Sequence, residues 1–60
     1  MNLKSIEYFL AAAEEMNITR AAERLFISQQ ALSSHLKRLE EEYGVPLFER
    51  RPSLRLTMFG

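Results

Sequence analysis

Residues 18–44, ITRAAERLFISQQALSSHLKRLEEEYG, decide the fold. Two helical stretches meet there across a three-residue break. Thr19 is placed to cap the first, residues 20–25, because a threonine hydroxyl accepts from one of the free backbone N–H groups of a helix start. Ala21 and Ala22 are small enough to let two helices cross closely, and Leu25 then reaches a shared core. Phe26-Ile27-Ser28 forms the turn, with Ile27 directed inward and Ser28 capping the next helix. A short turn between two helices is what a helix-turn-helix requires.

The longer helix, residues 29–43, separates into faces. Leu32, Leu36, Leu39 and Tyr43 fall within an arc of about 60° and form the expected core stripe. Almost opposite lie Gln30, Ser34 and Lys37, with Ser33 and Arg38 on the flanks and Gln29 at the N-terminal tip. A merely solvated face carries intermixed Glu and Lys. This one opens with amides and hydroxyls and turns basic about two turns later. The acids Glu40, Glu41 and Glu42 come last and read as a solvated helix end. Gly44 stops the helix, as the residue best able to take a left-handed conformation.

The flanking residues hold this unit. Upstream, Leu3, Ile6, Leu10 and Ala13, with Phe9 alongside, predict an amphipathic scaffold helix over residues 3–16 that buries this stripe. Asn2 is its expected N-cap and Asn17 its left-handed C-terminal residue. Downstream, Val45-Pro46-Leu47-Phe48 returns apolar side chains to the core. Glu49-Arg50 and Leu54-Arg55-Leu56-Thr57 alternate as two short strands joined by Arg51-Pro52-Ser53, a small hairpin or wing over residues 46–57. The expected fold class is mainly α, a winged helix-turn-helix of three helices plus a short β-hairpin, in one domain over residues 1–60.

Composition narrows the function. A chain of 60 residues buries only about 60% of its unfolded surface, which leaves little room for an enclosed substrate cavity. There is no cysteine and one histidine, His35, so no metal site or cofactor is expected. Glu7, Glu14 and Glu15 interrupt the N-terminal apolar run too early for a secretory leader. Nothing approaches the ~20 apolar residues of a membrane span, and a soluble, cytoplasmic protein with no membrane partner is expected. Net charge is zero, whereas nucleic-acid binders are usually basic. The bases nevertheless gather, in Lys37-Arg38 and in Arg50, Arg51 and Arg55.

The candidate chemistry is recognition. Gln pairs bidentately with the N6/N7 edge of adenine in a major groove, and Ser donates or accepts. Gln29, Gln30, Ser33 and Ser34 stand where such a helix meets bases, near its N-terminus. Lys37, Arg50, Arg51 and Arg55 suit phosphate contacts or minor-groove insertion at the wing, although Arg55 is equally at home pointing into solvent. Arg20 and Arg24 read as solvated residues that need no partner. No catalytic residue is expected. Ser33, Ser34 and His35 are adjacent on a helix and diverge, so they cannot form a nucleophile–base pair. Gly44 and Gly60 are the only glycines, so there is no phosphate-cradling loop.

These residues resemble the N-terminal DNA-binding domain of LysR-type transcriptional regulators, which are bacterial winged helix-turn-helix proteins. The resemblance covers essentially the whole chain. It is carried by Tyr8-Phe9, Thr19-Arg20-Ala21-Ala22-Glu23-Arg24-Leu25, Ile27-Ser28-Gln29, Ala31-Leu32-Ser33, Leu36-Lys37-Arg38-Leu39-Glu40, Gly44-Val45-Pro46-Leu47-Phe48-Glu49-Arg50 and Leu56-Thr57. It implies binding of double-stranded promoter DNA, with bases facing Gln29, Gln30, Ser33 and Ser34. It also implies backbone or minor-groove approach at Thr19 and around Arg50, Arg51 and Ser53.

Three departures stand out. Gln30 replaces a frequent proline or serine, Ser34-His35 stand where Arg and Gln are common, and Met58-Phe59 replace a small or proline-containing close. The last pair is expected to pack on the first helix. Family members continue into a dimerising linker helix and an effector-binding domain. The resemblance therefore implies a homodimer or higher assembly for a full-length protein. For these residues it implies a monomer or weak dimer without a small-molecule effector site. A second reading, a protein-docking module using the third helix, fits the zero net charge and predicts binding insensitive to salt.

Overall fold

The computed structural model describes residues 3–49 and 54–59. Its elements are α1 (Leu3–Glu15), α2 (Ile18–Leu25), α3 (Gln29–Tyr43), β1 (Phe48–Glu49) and β2 (Arg55–Leu56). The three helices pack on one another, and the two strands form an antiparallel pair in register Phe48↔Leu56 and Glu49↔Arg55.

Small residues make the helix crossing possible. Ala11 and Ala12 of α1 and Ala21 and Ala22 of α2 are all essentially inaccessible, so the backbones approach closely. Leu32 and Leu36 are the largest fully buried side chains, and Leu39 joins them. Tyr8 completes the helical core and meets His35 of α3 edge-to-face, with ring centroids 4.6 Å apart. Such aromatic pairs add about 0.5–1.5 kcal/mol beyond the area they bury.

Two expectations about the core need correction. The buried side of α1 is Tyr8, Ala11 and Ala12, not the Leu3-Ile6-Leu10 stripe. Leu3 is 84% exposed, and Ile6 and Leu10 are also open to solvent. At the helical period these three lie on the side of α1 opposite the core. Close crossing selects small side chains, and the bulky stripe is left outside. Tyr43 is likewise exposed rather than part of the α3 core stripe, although it borders an apolar hollow with Phe9, Leu39, Val45, Leu47 and Phe59. Phe59 thus reaches a residue of α1, as expected for the chain end, whereas Met58 stays in solvent.

The junction between α1 and α2 also differs. Asn17 is extended (φ −160°) and caps α2, its Oδ1 accepting from the Arg20 N–H at 2.9 Å. It is neither left-handed nor preceded by a Thr19 cap. The left-handed residue is Met16 (φ 51°), and α2 begins at Ile18. Asparagine is the stronger capping residue, so the helix starts one turn earlier and leaves Thr19 inside its first turn.

The turn into α3 is a Schellman arrangement. Ile27 N–H donates to Ala22 O (3.0 Å) and Phe26 N–H to Glu23 O (3.2 Å). Phe26 occupies the left-handed position that glycine usually fills (φ 58°) and is 94% exposed. Left-handed backbone costs an L-residue roughly 1–2 kcal/mol, against about 0.5–1 kcal/mol for the greater freedom a glycine loses. Phe26→Gly is therefore expected to raise stability by about 0.5–1 kcal/mol. Thermal unfolding checks this: a midpoint unchanged or lowered would mean the exposed ring contributes stability of its own.

Ser28 caps α3 as expected, its Oγ accepting from Ala31 N–H at 3.0 Å. Gly44 (φ 71°) ends the helix with its N–H on Glu40 O at 2.8 Å. Glu40 itself is not part of a solvated helix end. Its carboxylate accepts from the backbone N–H groups of Leu47 (2.8 Å) and Phe48 (3.1 Å), tying α3 to the chain entering the wing. The remaining glutamates, Glu41 and Glu42, are exposed.

Leu47, Phe48 and Leu54 are buried, and Phe48 packs on Phe9 of α1 with centroids 5.4 Å apart. β1 begins one residue before the expected strand, because Phe48 is drawn into the core while Glu49 points outward. Arg55 also points outward, 3.8 Å from Glu49, an exposed pair of little energetic consequence. Thr57 closes the base of the wing, donating its N–H to Leu47 O (2.9 Å) and its hydroxyl to Pro46 O. The expected wing connection, including Arg50, Arg51 and Ser53, lies outside the described residues, as does the expected Asn2 cap.

Candidate nucleic-acid interface

The orientation of α3 follows from its core face. Leu32, Leu36 and Leu39 are locked inward and His35 is held by Tyr8, so the opposite face can only point into solvent. Gln29, Gln30, Ser34, Lys37 and Arg38 are exposed, and Ser33 is half-buried. His35 on the flank packs on a ring rather than joining this outward face.

Gln29, Gln30, Ser33 and Ser34 come together with Ile18 around one shallow hollow of about 590 Å³. Ile18 did not stand out in the sequence; it belongs here because the Asn17 cap starts α2 at that residue and points its first turn at α3. The first turn of α3 carries no acid, so the positive end of the helix dipole is not neutralised there. The hollow combines amides, hydroxyls and one aliphatic wall at the positive end of a rigidly held helix. That chemistry can exchange hydrogen bonds with a polar edge placed against it.

The other candidates are arranged differently. Thr19 is exposed in the first turn of α2, beside Ile18 but not lining the hollow. Lys37 borders a separate depression with Glu40, Glu41, Gly44, Val45 and Pro46. From Gln29 to Lys37 the helix rises about 12 Å, so the amides and the first cation of α3 address different parts of any extended partner.

Arg24 is not solvated and free, contrary to expectation. Its guanidinium lies 2.7 Å from Glu14 and 3.4 Å from Glu15, joining α2 to the end of α1. The hydrogen bond to Glu14 raises its pKa further above the ordinary arginine value. Among the described residues no polar or charged residue is buried, and no group of three His, Cys, Asp or Glu gathers where it could hold a metal ion.

The family described as "Bacterial regulatory helix-turn-helix protein, lysR family" matches residues 3–60. The chain belongs to the lysR family. Among its relatives, the HTH-type transcriptional regulator BudR of Klebsiella aerogenes is 56% identical over 50 residues, covering 83% of this chain and 35% of BudR. The lysR-family fold is equally evident in solved structures. The crystal structure of BenM_DBD with benA site 1 DNA superposes with a TM-score of 0.91 at 44% identity, covering all of this chain and 68% of that one. The CbnR_DBD–DNA complex gives a TM-score of 0.92 at 38% identity, covering all of this chain and 70% of that one. The winged helix-turn-helix expected from the sequence is thus the fold of this lysR-family chain. The chain spans about a third or less of the length of the curated relatives it matches, 35% of BudR and 20% of the regulator BsdA of Bacillus subtilis. No helix among the described residues is long and apolar enough to cross a membrane.

Proposed function

We propose that the chain binds double-stranded promoter DNA sequence-specifically, as the DNA-binding part of a cytoplasmic bacterial transcription regulator. In this reading α3 enters the major groove and the wing, residues 46–57, meets the adjacent minor groove. The observation that carries it is the outward N-terminal half of α3, where Gln29, Gln30, Ser33 and Ser34 line one hollow at the positive end of the helix. Base edges in a major groove present the donors and acceptors those groups match. The similar BenM and CbnR domains were crystallised with DNA, which supports the same mode here.

Within that mode Gln29, Gln30, Ser33 and Ser34 face bases, while Thr19, Lys37, Arg50, Arg51 and Ser53 approach the phosphate backbone or minor groove. Phosphate contacts supply affinity and orientation, and base contacts supply selection. No catalytic role, cofactor or effector site is assigned to these residues. In a full-length protein the partner is a second copy, whereas this chain alone is a monomer or weak dimer.

Fluorescence anisotropy with a cognate and a scrambled duplex at rising salt tests the assignment. Affinity is expected to fall steeply with salt, because released counterions drive the association. Gln29→Ala is expected to cost about 1–3 kcal/mol on the cognate duplex alone, and Arg51→Ala to weaken both duplexes alike. Equal losses from both variants on both duplexes would remove base reading from α3. Binding insensitive to salt would point to a protein partner instead.

A further inference from the structure

We propose that the outward face of α3 selects A·T base pairs, reading adenine through the carboxamides of Gln29 and Gln30 with no arginine–guanine contact. The inference rests on the DNA-binding reading above and adds the class of site. The hollow is lined by two carboxamides, two hydroxyls and one aliphatic side chain, and no cation is among them. The first cation of α3, Lys37, sits about 12 Å farther along the helix, in another depression beside Glu40 and Glu41. Guanine is read most often by Arg or Lys donating to both O6 and N7, and these residues supply no such fork.

A carboxamide distinguishes the purines by polarity. Against adenine, glutamine Nε2–H donates to N7 while Oε1 accepts from the N6 amino group. Against guanine, Oε1 would face O6, acceptor against acceptor, so one half of the pair is lost and the other half is repelled. Gln29 and Gln30 are consecutive, so their side chains leave the helix about 100° apart and address different base pairs. Ser33 and Ser34 stand one turn below them at i, i+4, with hydroxyls that accept or donate and so tolerate either pair. Ile18 contributes an apolar wall, which suits the thymine methyl better than a charged phosphate.

The test is selection by the 60-residue chain from a pool of duplexes with a randomised central segment, at low salt, followed by sequencing. Duplexes enriched in A·T pairs are expected. Replacing a selected adenine with 7-deazaadenine, which lacks the N7 acceptor, is expected to weaken binding about tenfold. Gln30→Ala is expected to abolish enrichment at one base pair and leave its neighbour selected. Enrichment of G·C pairs, or unchanged affinity for the 7-deazaadenine duplex, would overturn the inference while leaving DNA binding intact. Failure to retain any duplex above background would overturn the DNA-binding reading along with it.

Discussion

Leu36→Ala is expected to leave the chain without a cooperative native state at 25 °C. Leu36 is 1% exposed, midway along the only face of α3 that meets the other helices. Truncating a buried leucine to alanine costs about 2–5 kcal/mol, from lost transfer energy and the cavity left behind. A single core in a chain this short rarely supplies more than about 3–5 kcal/mol in total. The cost is therefore comparable with the whole stability, and Leu32→Ala should behave in the same way. Urea titration followed by far-ultraviolet circular dichroism would show a sloping loss of helix with no transition. A cooperative transition at the original midpoint would mean that α3 is not held by its leucine stripe.

The second large effect concerns a charged residue. Glu40→Ala is expected to destabilise the chain by about 2–3 kcal/mol, because it strips one acceptor from two backbone N–H groups, those of Leu47 and Phe48. Charge-assisted hydrogen bonds are roughly twice as strong as neutral ones, so Glu40→Gln should lose about half as much. The damage should be directional. The carboxylate joins α3 to the entry of the wing, so amide exchange should accelerate first at Leu47 and Phe48 and later at α2. A urea midpoint unmoved by Glu40→Ala would return Glu40 to the solvated surface.

That carboxylate marks a limit of sequence reading. Glu40 sits in a run of three glutamates, and nothing local distinguishes the one whose oxygens meet amides seven and eight residues later. Arg24 is a similar case, because its partners Glu14 and Glu15 lie on another helix. Features governed by local backbone chemistry were legible. Ser28 and Gly44 bracket α3 as a cap and a left-handed stop, and the bounds of that helix follow from them. The leucine stripe was legible too, since Leu32, Leu36 and Leu39 have no competing apolar face on α3.

On α1 two faces competed. Hydrophobicity favours Leu3, Ile6 and Leu10, yet the close crossing with α2 requires the alanines, and size decided the outcome. Gln29, Gln30, Ser33 and Ser34 were legible as a set because helical spacing alone gathers them. Ile18 was not, because its place in the hollow depends on how α2 meets α3 and on a cap one turn earlier than Thr19.

An amide NMR titration of the 60-residue chain with a mixed-sequence DNA duplex, at low salt and again at higher salt, tests the central claim most directly. Shifts concentrated at Ile18, Thr19 and residues 29–37, fading as salt rises, are the expected result. Absence of shifts, or shifts confined to α1, would contradict α3 as the DNA-reading element.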